Sequence, residues 1–550
     1  MYNFNLKKEY FFLSLILLLS FILNIYGLNW GLPSCWNTDQ SVATALDMLK
    51  DKTFLPQDYL HPSLYYYILI IFIAPYLLFQ SVFYANFDSF LSASKVSWNY
   101  MALNHPDLAT GIFISARLSS VIFSLLTVFF VYRAAYALHS RRAGLFSALI
   151  LALTMDFVHW AHMEKSVALV DLLMLLAVYY AALIFKQGYS RKNFFLSCLF
   201  GGLALSAKFN GALVFLLIPV ISLRKNTKNI ESFFKTLFYG VAVYALAFIV
   251  TSPGILLKAN KYYAESTGEY GSKFMPGNFA DLANTWLANI ISICETLMQM
   301  FGILLFILAG CGLIYGIFKY CRKLHPLFIV ACVPLFTICL FAFSPRISLS
   351  ANSKFIIQVV PFMAVLGGVF SDDFLNGKVF SGLKINFKAV FLWVIFIASF
   401  FYCLSLDAIL THGDIRYLAN KWLAENIPVK SNIIVNNQLE YSLGVEVLKD
   451  YNVYVLGGGA GTKGAYSFIK GKYANIVPCD IPQLDSLSPA YVVSPCWQLK
   501  RSLVCSRLDT LSGKFVLLRS FERRQPWYWN PSIGGYEPSK IEIYAKSSKR

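Results

Sequence analysis

Charge is what this sequence has least of. Only 14% of its 550 residues are Asp, Glu, Lys or Arg, against 57% hydrophobic, and the mean hydropathy is +0.56. One soluble core cannot bury that much apolar surface, so a soluble globular chain is excluded and a polytopic membrane protein is indicated. The eleven cysteines follow no zinc-ligand spacing. Cys198, Cys294, Cys311, Cys321, Cys332, Cys339 and Cys403 lie in or beside apolar runs, where a thiol is a small apolar group. Cys35, Cys479, Cys496 and Cys505 lie elsewhere, where an oxidising compartment permits a disulfide. The glycine run from Gly457 to Gly461 has no Gly-Lys-Ser/Thr or GxGxxG pattern after it, so it reads as a turn and not as a nucleotide loop. No small-residue cleavage site follows the apolar run from Tyr10 to Gly27, which is longer than a signal core; with Lys7 and Lys8 before it, it reads as an uncleaved first span with a cytoplasmic N-terminus.

What is present is a series of apolar segments. Eleven crossings are expected, at 10–28, 112–132, 143–160, 166–185, 194–206, 209–223, 236–252, 290–318, 325–343, 355–370 and 388–406. Segment 63–85 is also apolar enough to cross, and if it does every later loop changes sides. The positive-inside rule decides against it. With 63–85 kept outside as a juxtamembrane or re-entrant element, the clusters Arg133/Arg141/Arg142, Lys186/Arg191/Lys192, Arg224/Lys225/Lys228/Lys235, Lys319/Arg322/Lys323 and Lys378/Lys384/Lys388 all fall in the cytoplasm. The C-terminus is then extracytoplasmic.

Two domains follow: a bundle over 1–410 with a large first outer loop at 29–111, and a soluble α/β domain over 411–550. In the latter, Ile415, Leu418, Ala419, Trp422 and Leu423 fall at helical spacing and stop before Pro428. Asn432 to Val435, Val453 to Leu456, Tyr491 to Val493 and Lys514 to Leu518 read as strands. The domain holds 18 Lys/Arg against 11 Asp/Glu, which suits anionic head groups or phosphorylated acceptors and equally an ordinary solvated surface.

On this topology the outer rim collects Asp39, His61, Arg117, His159, His162, Glu164, Lys165, Lys208, Arg346 and Lys354, with Asp171 about two turns into its span. Ionisable groups at membrane depth are costly and tend to face a cavity or a partner, so a site at the outer face is expected. Asp39 leads the set. An acid just outside the bilayer can take a proton from a nucleophile while a substrate's lipid tail stays in the membrane.

The order of these residues carries a family resemblance. Asp39, the run Leu60-His61-Pro62-Ser63-Leu64-Tyr65-Tyr66-Tyr67, Ala116-Arg117-Leu118-Ser119-Ser120, Ala161-His162-Met163-Glu164 through Asp171, Gly202 to Gly211 around Lys208, Ser353-Lys354-Phe355 to Pro361, Asp414-Ile415-Arg416 to Pro428, and Pro538 to Tyr544 together resemble the lipid-phosphate-sugar-dependent glycosyltransferases of the GT-C superfamily. These include the protein O-mannosyltransferases of glycosyltransferase family 39 and the aminoarabinose transferases. The resemblance implies an inverting transfer of a monosaccharide from a polyprenyl-phosphate sugar to an acceptor hydroxyl of a glycan, lipid or protein, with membrane lipids around the bundle and no nucleic-acid partner.

It also implies roles. Asp39 would be the general base. A phosphate leaving group needs cations and no acid, so Arg117, Lys208, Arg346 and Lys354 are the expected phosphate holders. His61, His162, Glu164, Lys165 and Asp171 would shape the sugar or acceptor site, Asp171 by orienting Arg117 or Lys208. For each, a structural reading stands alongside: a solvated acid, a snorkelling cation, a buried pair, or for His61 packing against the tyrosines. Gln40 stands where many relatives carry Glu, so acceptor specificity does not transfer. Asp39, His159, His162 and Glu164 are residue types able to bind a divalent ion, but an oxygen-rich cluster is not evident and no cofactor is expected. A bacterial or archaeal plasma membrane is favoured, since a retention signal and the large lumenal insert of eukaryotic relatives are not seen. A transporter or flippase is the second reading, disfavoured because the halves look dissimilar and the polar groups gather at one rim. A non-catalytic scaffold is the third.

Overall fold

The computed structural model describes residues 2–32, 39–59, 61–83, 105–225, 229–265, 279–321, 325–342, 353, 356–412, 415–436, 450–456, 476–479, 490–496, 515–522 and 540–546. The chain divides into two compact units: 1–28, 39–87 and 112–407 in one, and 29–38, 88–111 and 408–550 in the other.

The first unit is helical. Among the described residues, seven helices are long and apolar enough to cross a bilayer: Leu64–Phe83, Pro106–Leu138, Val167–Gln187, Ile230–Thr251, Ile303–Tyr320, Ile357–Leu375 and Ile385–Ala408. An eighth is counted if the pair Arg141–Ala152 and Met155–Ala161, bent by 65° at its break, is taken as one span. All eleven expected segments contain helix, but the expected count of about eleven is not reached by helices of full crossing length. Glu9–Ile25 and Pro326–Ala342 are shorter apolar helices, and 194–223 is built from Arg191–Ala207, a 3₁₀ stretch Phe209–Leu216 and the nine-residue Leu217–Lys225. Segment 290–318, expected as one span, is broken into Phe279–Phe301 and Ile303–Tyr320. The break falls at Gly302, whose φ of 74° lies in the left-handed region that interrupts a helix and that glycine tolerates best. Segment 63–85 contains the helix Leu64–Phe83, which runs through Pro75 and has the length and composition of a span. The interior of this unit is occupied by Val167–Gln187, buried without a gap from Val167 to Tyr179, and by Val360–Leu375.

A network of ion pairs and hydrogen bonds joins four helix ends in this unit. Asp373 is engaged by Lys319 at 2.8 Å, Lys378 at 2.7 Å and the Tyr315 hydroxyl at 2.8 Å. Asp372 accepts from Asn376 at 3.1 Å, is bonded by Ser140 and has Arg142 at 3.6 Å, while His139 lies 3.1 Å from Asp373. The ligand atoms of His139, Asp372 and Asp373 are mutually close enough to hold a metal ion, but their carboxylates are already matched by this set of cations.

The second unit contains a six-stranded sheet in the order β3-β2-β1-β4-β6-β5. Strands β1 Asn432–Asn436, β2 Asn452–Leu456, β3 Ile476–Cys479 and β4 Ala490–Cys496 run parallel. The pair β5 Phe515–Glu522 and β6 Lys540–Lys546 is antiparallel and closes one edge, with β6 antiparallel to β4. Helix Ile415–Asn426 presents Ile415, Ala419 and Leu423 to a core shared with Ile433, Val435, Val453, Val493, Ile541 and Ile543. The Tyr451 hydroxyl donates to the carbonyls of Leu423 and Ile427 at the end of that helix. The four expected strands are present; β3 and β6 are additional.

Candidate active site

Asp39 is the N-cap of the helix Gln40–Lys50. Its backbone is extended (φ −96°, ψ 139°) and its Oδ1 accepts from the main-chain N–H of Ser41 at 2.9 Å and from the Ser41 hydroxyl. This is the capping preference of an aspartate placed just before an amphipathic run, whose Val42, Ala45 and Leu46 are buried. Capping occupies Oδ1, and Oδ2 accepts no hydrogen bond from any described residue. The cap is itself held from behind. The main-chain N–H of Asp39 donates to Glu164 Oε1 at 2.6 Å, and Glu164 Oε2 accepts from Arg117 Nε at 2.8 Å. Arg117 Nη1 in turn donates to the Leu28 carbonyl at 2.7 Å. Arg117 and Glu164 are both fully buried. Four chain segments, at Leu28, Asp39, Arg117 and Glu164, are therefore tied into one network.

Burial pushes the Asp39 carboxyl up, but Lys165, His61 and the two Ser41 hydrogen bonds more than offset it, so the group lies below its ordinary value and is ionised. Its surroundings thus include His61 and Lys165, two of the expected site residues. Lys165 also lies over the Trp160 ring, 5.4 Å from its centroid.

The other expected residues divide. His162 places Nδ1 2.8 Å from the Val158 carbonyl and Nε2 2.8 Å from the Tyr26 carbonyl, so both ring nitrogens face main chain. Arg117, expected to hold phosphate, is paired with Glu164. Asp171 is buried, with neither carboxylate oxygen hydrogen-bonded among the described residues, and lies in the fields of Lys208 and Asp156. Lys208 is buried at the C-cap of Arg191–Ala207 with extended backbone. Its turn depends on Gly211: a Cβ there would lie 2.2 Å from the carbonyl carbon of Ala204 and 2.6 Å from the Leu205 nitrogen, both backbone atoms that cannot give way. His159 is buried. Arg346 and Lys354 lie outside the described residues.

Sequence reasoning assigned no role to Ser41, Tyr65 or Asp156. Ser41 could have been found as part of a capping pattern. Tyr65 and Asp156 are set among polar groups by the packing of helices far apart in the chain, which no local pattern reports.

Arg117 and His139 stand on one continuous helix and its end, 22 residues apart. At 1.5 Å per residue this is about 33 Å, the thickness of a hydrocarbon core. The Asp39 site and the His139/Asp372/Asp373 network therefore belong to opposite ends of a membrane-spanning bundle.

Residues 107–256 match the sequence model of the dolichyl-phosphate-mannose-protein mannosyltransferase family. Among solved structures, ArnT from Cupriavidus metallidurans bound to undecaprenyl phosphate superposes with a TM-score of 0.51 at 12% identity over 98% of both chains. Its apo state does so with a TM-score of 0.51 at 13% identity, over 98% of this chain and 97% of that one. No curated protein matches the sequence. The fold is similar to that of ArnT, and the segment that matches the mannosyltransferase family model is the one that carries Arg117, Glu164, Asp171 and Lys208.

Proposed function

We propose that the chain is an inverting glycosyltransferase that moves a monosaccharide from a polyprenyl-phosphate sugar to an acceptor hydroxyl at the outer face of the membrane. The observation that carries this reading is the Asp39 carboxylate, whose Oδ2 accepts no hydrogen bond among the described residues, fixed by Glu164 and Arg117 at one end of the bundle. Asp39 Oδ2 takes the acceptor's proton as the acceptor oxygen bonds to the anomeric carbon. The bond from that carbon to the phosphate oxygen breaks with its electron pair leaving on the phosphate, and a single displacement inverts the centre. The departing phosphate is already a stable anion, so cations suffice. Lys165 and Lys208 supply them here, joined by Arg346 and Lys354; Arg117 acts through Glu164 to hold the base. Asp171 balances Lys208, and His61 completes the polar wall beside Asp39. His162 sets the turn that carries Glu164. No metal ion is needed for these steps.

The undecaprenyl phosphate in the ArnT structure supports a lipid-phosphate carrier. The charge of the far end supports the orientation: Arg141, Arg142, Lys319 and Lys378 cluster beyond His139, which by the positive-inside rule is cytoplasmic and leaves Asp39 outside, with the α/β domain extracytoplasmic. A bacterial or archaeal plasma membrane fits. The test is transfer in proteoliposomes from a panel of radiolabelled polyprenyl-phosphate sugars to glycan, lipid and peptide acceptors, with and without a chelator. Release of polyprenyl phosphate matched by an inverted glycosidic product is the expected result; movement of the lipid-linked sugar across the bilayer without product would establish a flippase instead.

A further inference from the structure

His61 lies on a turn that is held on both sides by one stretch of the bundle, residues 251–265. Pro62 has no N–H, so the first donor after His61 is the main-chain N–H of Ser63, which donates to Ser252 Oγ at 3.0 Å across 189 residues of sequence. Before His61, the main-chain N–H of Tyr59 donates to Glu265 Oε2 at 2.7 Å. The Tyr59 ring packs against Tyr262, with 5.3 Å between centroids, and against Gly254, where a Cβ would lie 2.2 Å from Tyr59 Cε1. Ser63 and Ser252 are fully buried, and a main-chain N–H at that depth needs an acceptor.

Ser252 also reaches the turn that carries Lys208. Its hydroxyl lies 2.7 Å from that of Ser206, and Thr251 Oγ1 donates to Ser206 Oγ at 2.7 Å. Ser206 stands in the last turn of Arg191–Ala207, two residues before Lys208. A hydroxyl has two lone pairs, so Ser252 can accept from the Ser63 N–H and from the Ser206 hydroxyl at once. One side chain therefore ties the turn bearing His61 to the helix end bearing Lys208.

We propose that Ser252 is a positioning residue whose hydroxyl sets the spacing between His61, beside the base, and Lys208, the cation assigned to the donor phosphate. It acts through the Ser63 main chain and the Ser206 hydroxyl and touches no substrate. His61 favours the ionised form of Asp39, so a turn released from Ser252 is felt at the base. This inference rests on the glycosyltransferase reading and names the residue that keeps the two halves of that site in register.

The test uses the full chain in nanodiscs with Ser252→Ala, which removes the acceptor, and Ser252→Cys, whose thiol is a weaker acceptor of similar shape. Hydrogen exchange read by mass spectrometry, without ligand, should show the Ser63 amide exchanging about tenfold faster in Ser252→Ala and at an intermediate rate in Ser252→Cys. Transfer is then measured with the donor and acceptor that the panel above identifies, in the wild-type and His61→Ala backgrounds. Ser252→Ala should lower kcat/KM about tenfold in the first and by less than about twofold in the second, because a residue that acts through His61 has nothing left to position once the imidazole is gone. Equal losses in the two backgrounds would make Ser252 a general stabiliser and overturn the inference, as would unchanged exchange at Ser63. Should Ser252→Ala fail to fold, Ser252→Cys carries both comparisons with smaller factors. A wild type that transfers no sugar sinks the glycosyltransferase reading, whereas the exchange measurement still decides whether Ser252 holds the turn.

Discussion

The main-chain N–H of Asp39 donates to Glu164 Oε1 at 2.6 Å across 125 residues of sequence. One side chain thus both closes the ion pair with Arg117 and fixes where the Asp39 cap sits, so the position of the carboxylate depends on a buried pair that need not touch a substrate.

Asp39→Asn is expected to lower transfer by about 10²–10⁴-fold, the span of a lost general base. Asparagine still caps a helix, so the melting temperature should stay within a few degrees of wild type. Turnover and unfolding measured on the same preparation check both halves; normal turnover would remove Asp39 from the chemistry.

Glu164→Ala leaves Arg117 buried without its carboxylate and frees the Asp39 N–H. Breaking one partner of a buried pair costs about 3–5 kcal/mol, so a lower melting temperature and a loss of turnover should appear together. The double variant Arg117→Met/Glu164→Leu removes both charges and should be less destabilised than Glu164→Ala while remaining inactive. A double variant as unstable as the single one would show that the pair is not what holds this region.

The ionised form of Asp39 is favoured by Lys165, and this gives a pH dependence with a definite sign. The carboxylate is the active form, so activity is present above the folded-state value and lost as pH falls through it, at pH below the ordinary aspartate value of about 3.9. Its contribution to stability is likewise present above the ordinary value and lost as pH falls through the lowered one. Lys165→Met removes a charge that holds the group down, so the acid limb of kcat/KM should move to higher pH. An unmoved limb would mean that Lys165 does not act on Asp39.

Gly211→Ala should lower stability by about 1–3 kcal/mol or more, because the added carbon meets backbone and not a movable side chain, and should weaken lipid-phosphate binding by displacing Lys208. Asp373→Asn, about 33 Å from the site along the helix, should lower the melting temperature and leave donor KM unchanged. Thermal unfolding and donor binding on the two variants separate the site from the far network.

The class of this protein was legible in composition, because a membrane-spanning helix must satisfy its backbone internally and so announces itself as a long apolar run. Every expected run contains helix, and the spacing from Ile415 to Leu423 marked the helix that packs on the sheet. Asp39 was legible too, as an acid just beyond the first span; that it caps a helix was not. The strands β3 and β6 escaped because they are short and their pairing partners are remote, so nothing local separates them from loop.

What the chain sequence determined by itself was the list of ionisable groups that are costly in a bilayer. Only the tertiary structure decided their partners. Arg117, which reads as a phosphate holder, is paired with Glu164, and the ring nitrogens of His162 face two main-chain carbonyls. Hydropathy is additive along a chain and can be read from it, whereas a hydrogen bond depends on which distant helix supplies the other half, and that is settled only when the helices pack.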